Sequence, residues 1–274
     1  MTASDTMLNC LVDSSECLYR VRRGMGQSSR IVYVCIEDPT IVPEDERTYG
    51  PSLLKHLKKL PEWNQIWTTL TIYKDDGNIR CRTNEFPPPA LPRPRCPGDY
   101  PLYQITQLPT LQSFRQRVSQ VQLGSMTCIL KIATFSHEIP WLAQEVKAYH
   151  VLAMLGSNLV PRLLGYACEQ DRIVGFLCET IVGRVPTIDD IEACRRALRQ
   201  LHSQGIVHGD ITKYNIVMTA EGPKFIDLEE AIISSSESDK APGFAELKDK
   251  EIESLEAVLC DESGRGRPWT INVM

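Results

Sequence analysis

The stretch IVHGDITKYNIVMTAEGPKFIDLEEA (206–231) gathers His208, Asp210, Asn215 and Asp227 within one small part of the chain. IVM (216–218) and KFI (224–226) have strand composition and are separated by TAEGP, whose Gly and Pro mark a turn. An antiparallel hairpin is therefore expected. Paired symmetrically about Glu221, it would set Val217 opposite Phe225 and Asn215 opposite Asp227, about 5 Å apart. A carboxylate and an amide oxygen side by side, with room left for water and phosphate oxygens, form a donor set suited to nucleotide-bound Mg2+. Asp210 lies five residues before Asn215. From there it can receive a proton from a hydroxyl attacking the phosphate that such a metal holds.

Chemistry of this kind needs a scaffold, and the flanking sequence supplies one. QRVSQVQL and MTCILKI read as paired strands about a Gly124-Ser125 turn. IPWLAQEVKAYHVLAML (139–155) reads as a helix with Leu142, Val146, Tyr149 and Ala153 on one face. PRLLGYAC and RIVGFLCETI are two further strands joined by a polar turn. Thr187 and Asp190 form a capping-box pattern ahead of a helix whose apolar stripe is Ile191, Cys194, Leu198 and Leu201, with Gly205 as its stop. Near the end, AELKDKEIESLEAVL places Ile252, Leu255 and Leu259 on one helical face.

Residues 86–101, FPPPALPRPRCPGDYP, carry seven prolines and predict an extended, stiff connector. This sets three parts: an α+β elaboration over 1–85, the linker over 86–101, and the chemistry-bearing region over 102–274. In the first part RIVYVCI (30–36) reads as a strand and PSLLKHLKKL (51–60) as a helix. Asp76-Gly77 marks a hairpin turn. No catalytic constellation is visible there.

The region 103–260 resembles the protein-kinase-like fold. Asp210 matches the catalytic-loop Asp, Asn215 the metal-binding Asn, and Asp227 the Asp that opens the second metal motif. Lys131 in CILKI stands where the strand Lys holding the α/β-phosphates stands, Glu145 in AQEVKAY matches its ion-pair partner, and Glu179 falls at the hinge that meets adenine. The resemblance implies a two-lobed α+β fold with a shortened C-terminal lobe, and ATP and Mg2+ as cofactors. It also implies transfer of the γ-phosphoryl group to a hydroxyl acceptor, small molecule or protein. His208-Gly209-Asp210 carries Gly where regulated protein kinases carry Arg. In this it is similar to the aminoglycoside and choline type of phosphotransferase and to compact kinase-like proteins of filamentous fungi, which also share the DLE motif and a terminal Ser-Gly-Arg-Gly like that at 263–266.

The departures define a rival reading. Between Tyr103 and Lys131 the only glycine is Gly124, so the glycine-rich phosphate loop is missing. The motif Asp227-Leu228-Glu229 lacks the usual glycine, and little chain follows it to form a peptide-binding lobe. A catalytically weak or inactive pseudokinase, acting as a binding or scaffold module, is the alternative. His208 is expected to pack beneath the loop, Glu229 and Glu230 to form an exposed acidic run, and Lys213 either to neutralise phosphate or to face solvent. SSSESDKAPG (234–243) reads as a polar, flexible segment.

Bulk properties are ordinary for a soluble globular protein and point to neither a nucleic-acid nor a membrane protein. The 274 residues carry a net charge of −5, with 42% hydrophobic and 24% charged residues. No basic field points to nucleic acid and no apolar run spans a bilayer. Ten cysteines without a CxxC pair predict reduced thiols, hence a cytoplasmic or nuclear setting.

Overall fold

A computed structural model describes residues 5–24, 29–92, 100–234 and 242–268. The first sheet comprises β1 (Thr6–Val12), β2 (Cys17–Arg23), β3 (Arg30–Ile36), β4 (Thr69–Asp75) and β5 (Asn78–Thr83), in that spatial order, with only β3 and β4 parallel. Helix α1 (Gly50–Leu57) starts at a Pro in its first turn, where the missing N–H costs nothing. Its Leu53, Leu54 and Leu57 pack with Trp63, Trp67, Val32 and Val34 into a separate core cluster. At the expected hairpin, Asp76 and Gly77 both have positive φ, 48° and 77°, as a two-residue turn between right-twisted strands requires.

The sheet has a second face. Arg20 of β2 lies opposite Tyr33 of β3, and both are buried. That buried arginine hides the strand pattern of CLYRVRR from a reading based on apolar alternation.

The second sheet has six strands in the order β6-β10-β11-β9-β8-β7. They are β6 (Leu102–Gln104), β7 (Thr110–Arg115), β8 (Val118–Leu123), β9 (Met126–Ile132), β10 (Leu163–Glu169) and β11 (Arg172–Glu179). Helix α2 (Ile139–Met154) packs on it through Leu142, Val146 and Tyr149, whose ring lies 5.2 Å from that of Phe176. Ala153, expected on this face, is exposed, and Leu152 is buried instead, because the helix turns about 100° per residue and the sheet contact has drifted by one position. The described part of the proline segment, residues 86–92, lies against β11. The Leu91 amide donates to the Ile173 carbonyl at 2.7 Å, and Arg172 donates to the Pro89 carbonyl at 2.7 Å. Residues 93–99 fall outside the described residues.

Beyond the second sheet come α3 (Ile191–Ser203), β12 (Ile206–Val207), β13 (Ile216–Thr219), β14 (Gly222–Phe225), β15 (Ile232–Ile233) and α4 (Pro242–Cys260). The capping box forms as expected: the Thr187 amide donates to Asp190 Oδ2 at 2.8 Å, and Arg184 grips the same carboxylate. Helices α3 and α4 pack through Leu198, Leu201, Leu255 and Leu259, each worth roughly 1.5–3 kcal/mol when fully buried. That cluster also takes in α2, β10 and β11, so both lobes share one core.

The central hairpin differs from the expected register. Ile216 faces Phe225, Val217 faces Lys224 and Thr219 faces Gly222, so the turn is the pair Ala220-Glu221 rather than a loop centred on Glu221. Gly222, at φ 118°, extends the second strand back through Pro223. Asn215 therefore pairs with Ile226, whose amide donates to the Asn215 carbonyl at 3.0 Å, and Asp227 stands one residue further on.

Candidate active site

The loop after β12 is held from beneath and behind. His208 is fully buried, its Nε2 donating to the Ile226 carbonyl at 3.0 Å and its ring edge-on to Phe225. Burial holds its pKa below the ordinary value, so the ring is a neutral prop rather than an acid. Gly209 has φ 85°, and a Cβ there would stand 2.1 Å from the Glu230 carbonyl oxygen. No side chain fits, which accounts for glycine where regulated kinases carry arginine. Glu251 of α4 accepts from the His208 and Gly209 amides at 3.2 and 2.6 Å and from His202 at 2.7 Å. This carboxylate sets the loop, and nothing in the local sequence singles it out. Glu251 is acidic on an otherwise acidic helix.

Asn215 sits at the end of a 3-10 turn, Lys213–Asn215. Its Nδ2 donates to the Asp210 carbonyl at 2.9 Å, which fixes the amide and turns Oδ1 away. That oxygen is buried and accepts no hydrogen bond among the described residues. A buried acceptor without a donor is costly, and a cation would satisfy it.

On the opposite wall Lys131 is buried among three carboxylates. Its Nζ lies 2.6 Å from Glu145, 2.5 Å from Asp227 and 3.2 Å from Glu229. Burial opposes the ammonium, yet Glu145, then Asp227 and Glu229, outweigh it and hold its pKa above the ordinary value. Glu145 is pushed up to about 7 by burial, against the pull of Lys131. Its other oxygen accepts from the Leu228 amide at 3.2 Å. Asp227 is held below the ordinary carboxylate range: burial alone would raise it, but Lys131 and Arg115 prevail. Its backbone is left-handed, φ 65°, a conformation that Asp tolerates better than most residues.

Glu229 was expected to be exposed. It instead bonds Lys131 and, at 2.7 Å, Arg117, because the chain reversal after Asp227 turns it inward, while Glu230 does face solvent. The three acids could together hold a metal ion.

Two segments close the site. The β7–β8 tip brings Arg115 to Asp227 Oδ2 at 3.1 Å, and the same guanidinium donates to the Gly266 carbonyl. From the other side Arg265 Nη2 lies 2.5 Å from Asp210 Oδ1. Lys213, left open between phosphate and solvent, is buried and paired with Glu262 at 2.8 Å. Between these walls lies a cavity of about 220 Å³, with Ile129, Ile181, Val185, Val217 and Ile226 on its apolar side and Lys131, Glu145, Asn215 and Asp227 on its polar side. Glu179 lines it at the end of β11, where the chain passes between lobes, with its amide given to the Arg162 carbonyl. Asp210 is not among the lining residues.

A sheet with one packed helix, a helical lobe, and a cleft between them holding Lys, Glu, Asn and Asp constitute the two-lobed α+β protein-kinase-like fold. Residues 186–242, from the approach to α3 through the hairpin and beyond, match the family model of the RIO domain, an atypical protein-kinase-like family. That similarity supports membership of the kinase-like superfamily, an ATP-binding phosphotransferase group. No curated protein matches the chain. Among the described residues no helix is long and apolar enough to cross a membrane.

Proposed function

We propose that the chain is an ATP- and Mg-dependent phosphotransferase acting on a hydroxyl acceptor, with 102–274 as the catalytic unit, 86–101 as connector and 1–85 as elaboration. The observation that carries this reading is the unpaired, buried Asn215 Oδ1 in the same cleft as Asp227 and Glu145. Amide and carboxylate oxygens suit Mg2+, and nothing among the described residues satisfies that amide oxygen.

Bound Mg-ATP would supply the phosphoryl group and the cation that neutralises it in transfer. Asn215 and Asp227 would hold the metal, and Lys131 the phosphates. Glu145, anchored by the Leu228 amide, positions Lys131. The apolar side of the cavity and the Glu179 backbone would receive adenine. Asp210 would orient the acceptor hydroxyl and take its proton once Arg265 withdraws. The HGD sequence, with no room for an arginine at Gly209, favours the small-molecule type of phosphotransferase over a regulated protein kinase.

A second reading, a nucleotide-binding scaffold, draws on the cation placed on Asp210. The two separate cleanly. Mg-ATP should raise the Tm of the wild type and not of Asp227→Ala, as a ligand specific to the folded state must. Asp210→Asn should keep that rise while transfer falls about 10²–10⁴-fold. A rise without turnover in the wild type selects the scaffold. No rise at millimolar Mg-ATP removes the nucleotide site altogether.

A further inference from the structure

Resting on the nucleotide reading above, we propose that Arg115 is a phosphate-binding residue that takes over the work of the absent glycine loop. Where a kinase-like sheet would present glycine amides, this chain has the tight turn Arg115-Gln116-Arg117-Val118. A two-residue turn offers few free amides. The Arg117 carbonyl is already engaged by the Ile132 amide, which ties the turn to β9.

The register aims the side chain. Arg115 pairs with Val118, and Val118 pairs with Lys131 on the next strand. Residues opposed across neighbouring strands share a face. Arg115, Val118 and Lys131 accordingly all line the cavity. Two cations of this sheet thus converge on one carboxylate: Lys131 on Asp227 Oδ1 at 2.5 Å and Arg115 on Oδ2 at 3.1 Å. A metal taken up by Asp227 competes with both cations for the same oxygens. The phosphate oxygens that come with the metal offer the guanidinium a replacement of like charge and matching fork geometry.

Arg117 is committed elsewhere, to Glu229 and Glu138. Among the described residues Arg115 has no such second carboxylate. Its other partner is the Gly266 carbonyl, a neutral acceptor that a phosphate would readily outcompete.

The test compares the affinities of Mg-ATP, Mg-ADP and adenosine by titration calorimetry for the wild type, Arg115→Ala and Arg115→Lys. Phosphate binding by Arg115 predicts a loss of about tenfold or more for Mg-ATP in Arg115→Ala, with adenosine unchanged. Arg115→Lys, keeping charge without the fork, should fall between. A purely structural Arg115 would weaken adenosine and Mg-ATP together, or neither, and either result overturns the proposal. Should the Ala variant not fold, the Mg-ATP to adenosine ratio of the Lys variant still decides: an unchanged ratio overturns it. Wild-type protein that binds adenosine and Mg-ATP equally well, or neither, overturns the nucleotide-phosphate site as a whole, a failure distinct from loss of the arginine's part alone.

Discussion

Two buried charge clusters can be set side by side. In the first, Glu169 at the end of β10 accepts from Arg20 Nε at 2.8 Å, from Tyr33 at 2.7 Å and from Arg172 at 3.1 Å, with Arg20 Nη2 2.6 Å away as an ion pair. Its side chain has no solvent exposure, its donors come from both sheets, and its two guanidiniums outnumber the one carboxylate. In the second, Lys131 faces Glu145, Asp227 and Glu229, with Arg115 and Arg117 on their outer oxygens and Asn215 Oδ1 unpaired in the same cleft. The first cluster engages both oxygens of its single carboxylate and holds the two sheets together. The second sets three carboxylates around one ammonium and borders a cavity. A buried ion cluster is structural where every carboxylate oxygen has a hydrogen-bond donor. One that leaves carboxylate and amide oxygens over is arranged for something not yet bound.

That contrast can be broken most forcefully at Glu169. Glu169→Ala leaves Arg20 buried beside Tyr33 without a counter-charge. Stability to urea should fall by about 3–5 kcal/mol. Nucleotide affinity of the folded fraction should hold. A matching loss of affinity would mean that the first cluster also shapes the cleft, and the distinction would go.

Lys131→Met should cost less and show its cause through pH. In the wild type the folded Glu145 value, about 7, exceeds its ordinary 4.5. Between those values the folded state holds the extra proton, so this group stabilises the fold as pH falls through 7 towards 4.5 and loses that contribution as pH rises. Without Lys131 the Glu145 carboxyl climbs further and Asp227 loses its largest stabilising cation. The Tm deficit of the variant relative to the wild type should then be greatest near pH 8 and shrink by pH 5. Contributions common to both proteins, such as that of His208, cancel in this difference. A deficit independent of pH would show that Lys131 matters there for packing alone.

The smallest effect is expected at Arg265. Its side chain is 71% exposed and that of Asp210 is 34% exposed. Arg265→Ala should therefore change stability by no more than about 1 kcal/mol, measured by the same denaturation. A larger loss would place the Arg265–Asp210 pair with the structural Glu169 cluster rather than with the open site.

Much of the candidate site's grouping was readable along the chain because its parts are local. HGD-x4-N and the following Asp lie on one loop and one hairpin, and strand, turn and helix signals fix their neighbours. Lys131 and Glu145 were legible for a related reason: a lysine within an apolar strand needs a buried partner, and the next helix offers one. What the sequence could not reveal depends on pairing at a distance. The hairpin slipped by one residue because a two-residue turn with Gly222 in an extended, positive-φ conformation is geometrically available, and composition does not distinguish it from the looser turn. Glu229 read as exposed because its inward turn is set by the chain reversal at Asp227. β1 and β2 escaped notice because Arg20 finds Glu169 only when the two sheets meet.

The sequence by itself determined which groups could do chemistry and the order in which they occur, since residue type, turn propensity and apolar period act over a few residues. Tertiary structure alone decided which acids share Lys131, which oxygen of Asn215 goes unmet, and that Arg115 reaches Asp227, Arg265 reaches Asp210 and Glu251 reaches the amides of His208 and Gly209. Those outcomes rest on contacts between residues far apart in the chain. Their electrostatics exist only once folding has removed the water between them.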